Sequence, residues 1–294
     1  MGIKPNDCIL LPEYICDVVL HPLEKLGLKH RYYSVNDALA PNWNELESLV
    51  NNQTKAILMI HFFGQPQNIY EFQSFCKRHS LLLIEDNAHG HGGMLDGQLL
   101  GTFGDLGISS PRKILNTYSG GILWLKNKKF SYPSNLLPYS VPTSQYIKRN
   151  VFGYYPTLKN FVKKKLQTKP KYENPRAFRE TTIRDCSIDK RSKKIIRKTN
   201  WNKLRKVRYE AYQRWHRYAF DNNLTPVFEK LYPESNPWCF PAYTNNQQET
   251  IEWFNWGWKN NIQIFSWPSL PEEILYKGSK SLERWKKLIC FGIE

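Results

Sequence analysis

The sequence predicts an α/β fold: a three-layer unit on a mostly parallel sheet, followed by a smaller α+β domain. Two observations carry this. From Cys8 to Leu125, short apolar runs of buried-strand type alternate with stretches of helical spacing. The charge balance then changes. Residues 1–130 hold 12 basic and 12 acidic residues, whereas residues 131–294 hold 30 and 14, so the whole net charge of +16 lies in the second part. The expected division is 1–130 as the large domain, 131–222 as a basic, mostly helical connection, and 223–294 as the small domain.

The elements follow in order. Cys8-Ile9-Leu10-Leu11-Pro12 reads as a strand that stops at Pro12. Residues 16–27 read as a helix, Tyr32 to Val35 as a short strand, and Asn42 to Val50 as a helix capped by Asn42. Ala56 to Ile60 and Leu81 to Ile84 are continuous apolar runs, hence buried strands. Between them Ile69, Phe72, Phe75 and Cys76 recur at helical spacing, and Ile122 to Leu125 closes the series as a strand. Strand and helix alternating in this way imply βαβ units. Beyond residue 131, residues 143–166 mix Lys, Arg and aromatics, 167–182 read as a linker, and 187–220 as one long basic helix. Trp238 to Tyr243 and Ile262 to Phe265 read as strands flanking a helix at 248–260.

Composition narrows the function classes. Hydrophobic residues at 41% and aromatics at 14% exclude a disordered chain. The six cysteines form no C-x-x-C pair, which argues against a zinc ribbon or a disulfide framework. The start has no signal-peptide pattern, Asn6 stands where myristoylation wants Ser or Thr, and no apolar run approaches membrane-spanning length. A cytoplasmic protein is expected.

In parallel sheets, ligands collect at the carboxyl ends of the strands. Three such places carry informative residues. His61 follows the Ala56–Ile60 run and precedes Phe62-Phe63-Gly64-Gln65-Pro66; it either lines a pocket or is bonded to backbone at a strand end. Asp86 follows Leu81-Leu82-Leu83-Ile84-Glu85, where a buried carboxylate requires a cationic partner. His89 and His91 lie close by, so a metal is conceivable, but the run lacks the helical H-E-x-x-H spacing and none is expected. Lys113 follows Gly107-Ile108-Ser109-Ser110-Pro111-Arg112 and precedes Ser119-Gly120-Gly121.

In succession these segments resemble the DegT/DnrJ/EryC1/StrS family of sugar aminotransferases, pyridoxal-phosphate (PLP) enzymes of the aspartate aminotransferase fold (fold type I). Gly2-Ile3-Lys4-Pro5-Asn6-Asp7 with Leu11-Pro12-Glu13-Tyr14 is similar to the family's G-x-x-x-G-D-E-V…P-x-Y. Thr54-Lys55-Ala56-Ile57 with His61 to Pro66 is similar to T-K-A-I…H-x-x-G-x-P. Ile84 to His89 is similar to I-E-D-x-A-[QH], and Gly101-Thr102-Phe103-Gly104-Asp105 to G-[ST]-F-G-D. The resemblance implies that Lys113 forms the Schiff base with PLP, that Asp86 faces the pyridine nitrogen, and that His89 donates to the ring hydroxyl. Ser110, or else Ser109, would bind the phosphate, and Cys16 occupies the position of a ring-stacking aromatic. It also implies a nucleotide-linked keto-sugar substrate, an amino-acid donor such as glutamate, a role in polysaccharide or related glycan synthesis, and a homodimer.

Family members carry further segments at both ends, so the chain is expected to lack part of the family fold and to leave apolar surface near a missing helix. Two other readings stay open. One is a non-catalytic member acting as a binding or scaffold protein. The other takes Lys163-Lys164-Lys165 and Arg191 to Arg208 as a nucleic-acid surface, although no recognition motif accompanies that charge.

Overall fold

The computed structural model describes residues 2–126, 130–134, 136–141 and 186–293. The predicted stretches 143–166 and 167–182 lie outside the described residues.

Six strands form the large sheet: β1 (Cys8–Pro12), β2 (Lys29–Tyr33), β3 (Thr54–Ile60), β4 (Leu82–Asn87), β5 (Leu106–Ser109) and β6 (Ile122–Leu125). Their order is β2-β1-β3-β4-β5-β6; all pairs are parallel except β5 with β6. The helices of this part are α1 (Leu20–Lys25), α2 (Trp43–Ser48) and α3 (Ile69–His79). The α3 helix begins where Asn68 accepts from the Glu71 amide and donates back to its carboxylate, and it ends with Lys77, Arg78 and His79 against the dipole. Ile69, Phe72, Phe75 and Cys76 are its buried face, as the spacing predicts.

The second half supplies α4 (Lys190–Lys198), α5 (Trp201–Asp221), α6 (Gln247–Asn260) and α7 (Lys280–Lys287). A four-stranded antiparallel sheet joins β7 (Thr225–Pro226), β8 (Cys239–Tyr243), β9 (Ile264–Phe265) and β10 (Leu288–Gly292) in the order β7-β8-β10-β9. One hydrophobic cluster runs from β1, β3 and α3 through to Val227, Cys239, Leu270, Trp285 and Cys290. The small sheet is thereby packed onto the large one.

Several sequence expectations shift. The expected helix at 16–27 is a 3-10 turn, Asp17–Val19, followed by the short α1. The expected single helix at 187–220 is two, because the Asn200 side chain accepts from the Lys203 amide and starts α5 afresh. Asn42 stands at the start of α2, but its side chain accepts no capping bond. The described residues contain no helix long and apolar enough to cross a membrane. At the far edge of the large sheet, Ile108 on β5 is 37% exposed and all of β6 is half-buried.

The α3 face sets the packing of the large sheet. Phe75 is fully buried against Trp43, with ring centroids 5.7 Å apart. Phe75→Ala should cost about 3–5 kcal/mol, read as a lower urea midpoint with the slope unchanged.

Candidate active site

Cys16, His61, Asp86, Ser109 and Lys113 all stand at or just past the carboxyl ends of parallel strands β1, β3, β4 and β5. Side chains alternate along β4, so Glu85 and Asp86 point to opposite faces. Each face does a different job.

On one face Glu85 is a buried tie. Its carboxylate accepts from the amides of Gly101 at 2.5 Å, Phe103 at 2.7 Å and Gly104 at 2.9 Å, and from His61 Nε2 at 2.9 Å. Burial raises its pKa, but these bonds outweigh that and hold the carboxyl below its usual range. The loop can lie this close because Gly107 has no side chain; a Cβ there would meet the Gly101 carbonyl oxygen at 1.7 Å. His61 Nδ1 accepts from the Gln67 amide at 3.1 Å, so Nε2 is the nitrogen that donates to Glu85. His61 is fully buried and neither nitrogen is left for a ligand. Of the two readings open for His61, pocket-lining or bonded to backbone, the geometry fits the bonded one: it braces the loop rather than offering a nitrogen to a cofactor.

The other face holds Asp86 and Lys113. Asp86 is buried and its Oδ1 accepts from the Ala88 amide at 2.7 Å. Burial pushes its carboxyl up, while the Ala88 bond and the charge of Lys113 pull it back. Lys113 closes a single 3-10 turn, Pro111–Lys113. Burial lowers its amine from 10.5 to about 8, and the charge of Asp86 opposes that shift. The two groups act on each other's charge, yet among the described residues no ion pair within 4 Å joins them. The lysine Nζ instead lies 4.5 Å from the Trp238 ring centroid and 5.6 Å from that of Trp267.

His89 completes this face. Its Nδ1 accepts from the Phe63 amide at 3.1 Å, and burial holds the ring neutral, well below its ordinary pKa. The proton is therefore on Nε2, which has no partner among the described residues. Phe63 reaches this bond with φ of +55°, and the next residue, Gly64, has φ of +93°. The Phe63, Trp238 and Trp267 rings surround the imidazole, with centroids 5.8, 4.8 and 4.4 Å away.

The remaining expected residues fall nearby. Ser109 Oγ is 2.8 Å from His91 Nδ1. Burial lowers His91 to about 4, and its ring lies against Trp124 and Trp201. Ser110 is half-buried, and its hydroxyl makes no hydrogen bond to the described residues. Cys16 Sγ is 3.5 Å from Ser269 Oγ and 3.7 Å from Asp17 Oδ1; burial raises the thiol and the Lys113 charge lowers it. Among the described residues no group of three His, Cys, Asp or Glu is placed to hold a metal.

Sequence reasoning missed Trp238, Trp267 and Ser269. Arg208 on α5 sets Trp238, through bonds to the carbonyls of Pro237 at 2.8 Å and Trp238 at 2.9 Å. Tyr14, just past β1, donates to the Trp267 carbonyl.

The mostly parallel sheet, with the lysine, carboxylate and neutral histidine at its strand ends, has the fold of the fold type I PLP-dependent transferases. The chain belongs to the DegT/DnrJ/EryC1/StrS aminotransferase family, whose model matches residues 1–162. Among curated relatives, dTDP-4-dehydro-2,3,6-trideoxy-D-glucose 4-aminotransferase of Saccharopolyspora spinosa is 28% identical over 142 residues, 47% of this chain and 37% of that protein. GDP-perosamine synthase of Vibrio cholerae is 26% identical over 126 residues, 42% of this chain and 34% of that protein. The chain thus spans little more than a third of the length of the curated relatives it matches. Among solved structures, Escherichia coli GDP-4-keto-6-deoxy-D-mannose-3-dehydratase superposes with a TM-score of 0.67 at 18% identity, covering 99% of this chain and 76% of that one.

Two outcomes follow from this geometry. Glu85→Ala leaves the His61 N–H and three amides without an acceptor and should cost about 3–5 kcal/mol. Because the folded pKa of Glu85 lies below its ordinary 4.5, that cost should be complete at neutral pH and shrink as pH falls below 4.5, seen in thermal melts across pH. Lys113 should acylate with a midpoint near pH 8, well below an ordinary lysine, in peptide-resolved competitive labelling.

Proposed function

We propose that this protein is a PLP-dependent aminotransferase of a nucleotide-linked keto-sugar, with an amino acid such as glutamate as the donor, serving polysaccharide or related glycan synthesis. The observation that carries it is the grouping of a buried Asp86, the Nε2–H of His89 and the Lys113 amine at the carboxyl ends of β4 and β5.

The side chains present fit the cofactor. Asp86 is a buried carboxyl whose one hydrogen bond comes from the Ala88 amide, which suits a cationic ring nitrogen. His89 offers an Nε2–H donor that no described group uses. Ser110 offers a free hydroxyl beside the lysine turn for a phosphate, and Ser109, tied to His91, supports that turn. Cys16 lies close enough for the Lys113 charge to reach its thiol, on the wall where the family places a ring. When bound, PLP supplies an aldehyde that reacts with amines and a ring that withdraws electrons from the carbon next to the nitrogen.

The chain's own residues do the rest. With its pKa near 8, Lys113 is partly uncharged at neutral pH and is a nucleophile without help from a base. The same amine, once free, takes and returns protons as general base and acid. Asp86 would stand against a cationic ring nitrogen and hold the proton there. His89 cannot charge in the neutral range, so it remains a donor throughout. The substrate class is supported by the relatives, whose names specify dTDP- and GDP-linked sugars. Nucleotide-linked sugars are made where nucleotides are, which supports a cytoplasmic site of action. Family membership supports a homodimer with each site near the interface.

PLP added to the purified protein should give a protein-bound visible absorbance band, and Lys113→Ala should abolish it. Asp86→Asn should weaken cofactor retention roughly tenfold, corresponding to one pKa unit of lost charge stabilisation. No band in the native chain, or the same band in Lys113→Ala, refutes the assignment.

A further inference from the structure

Trp238 immediately precedes β8, and Trp267 lies two residues past β9, so the small sheet delivers both to the Lys113 amine. Their ring centroids are 6.3 Å apart and their planes stand at 88°. Each has a firm backing. Phe265 lies 5.0 Å from Trp238, Phe63 lies 5.5 Å from Trp267, and His89 touches both. Two perpendicular indole faces with a nitrogen 4.5 and 5.6 Å from their centroids make two walls of a cation box. A neutral amine gains little from such faces, whereas an ammonium is attracted by both ring quadrupoles. The rings, rather than the Asp86 carboxylate, receive the lysine head.

We propose that Trp238 and Trp267 form a subsite for a primary ammonium group. In the free protein the occupant is the Lys113 side chain. Once the Lys113 nitrogen is engaged elsewhere, the box takes the protonated amino group of the amino donor. That identity of the second occupant rests on the aminotransferase reading; the box itself does not. No bond forms or breaks at the rings. They hold a cation beside Asp86 without neutralising that carboxylate, which a lysine–aspartate ion pair would do. Arg208 and Tyr14 act as positioning residues, since they fix the two tryptophan backbones.

The test needs no cofactor. Lys113→Ala vacates the box, and methylammonium chloride is the probe, with potassium chloride as the ionic control. The readout is the pair of indole N–H resonances of Trp238 and Trp267, assigned by substitution. Saturable shifts with methylammonium are expected in Lys113→Ala and not in the native chain, where the lysine fills the box. Trp238→Leu in the Lys113→Ala background should weaken binding roughly 2- to 30-fold, the range of cation–π contacts from exposed to desolvated. A folded Lys113→Ala protein that shows no saturable shift, or the same shift with potassium, overturns the proposal.

Should Lys113→Ala not fold, the native lysine serves. Trp238→Leu should move the acylation midpoint of Lys113 to lower pH, and Trp238→Phe should restore part of it. An unmoved midpoint overturns the box. The two assignments fail separately: a PLP band with no methylammonium site removes only the box. Methylammonium binding with no PLP band removes the aminotransferase and leaves the box.

Discussion

The site depends on keeping an amine and a carboxylate close together inside the protein without letting them meet. Two such groups left alone would close into an ion pair, because a buried charge is stabilised chiefly by an opposite one. Here aromatic faces take the ammonium and a backbone amide takes the carboxylate. Both groups are left short of full stabilisation, as the raised Asp86 and lowered Lys113 show. A site poised in this way favours a ligand that offers a cation to one and reacts with the other.

The alternation of β4 makes this arrangement affordable to the fold. Glu85 and Asp86 are neighbours in sequence and opposites in environment. One is satisfied four times over and anchors the 101–104 loop; the other makes a single hydrogen bond. Slipping the strand by one residue would exchange the two, placing the satisfied carboxylate toward the lysine and burying the sparse one among amides. The Glu85 tie therefore fixes register as well as stability.

Much of this was legible in the sequence, for identifiable reasons. β1, β3 and β4 are nearly unbroken apolar runs, and α3 carries its buried residues at helical spacing with a capping pair in front. The Leu81–Ile84 run placed Asp86 and His89 at a strand end, and the structure puts them there; the motifs marked Lys113 without showing the strand before it. β5 was not legible as a strand, because Leu106-Gly107-Ile108-Ser109 is short and is broken by a glycine whose purpose is contact with Gly101. The role of His61 was left between two readings because both need a histidine at a strand end; only the Gln67 and Glu85 bonds decide. Trp238 and Trp267 carry no local signal, since what matters about them is their distance from a lysine more than a hundred positions earlier.

The meeting of Gly107 with Gly101 has a consequence for how this chain can change over generations. Two backbones in direct contact leave no room for trial and error at either position. A larger residue at 107 would have to arrive together with a retreat of the neighbouring loop, and that retreat would strip amides from Glu85. Single mutational steps are closed on this side of the sheet.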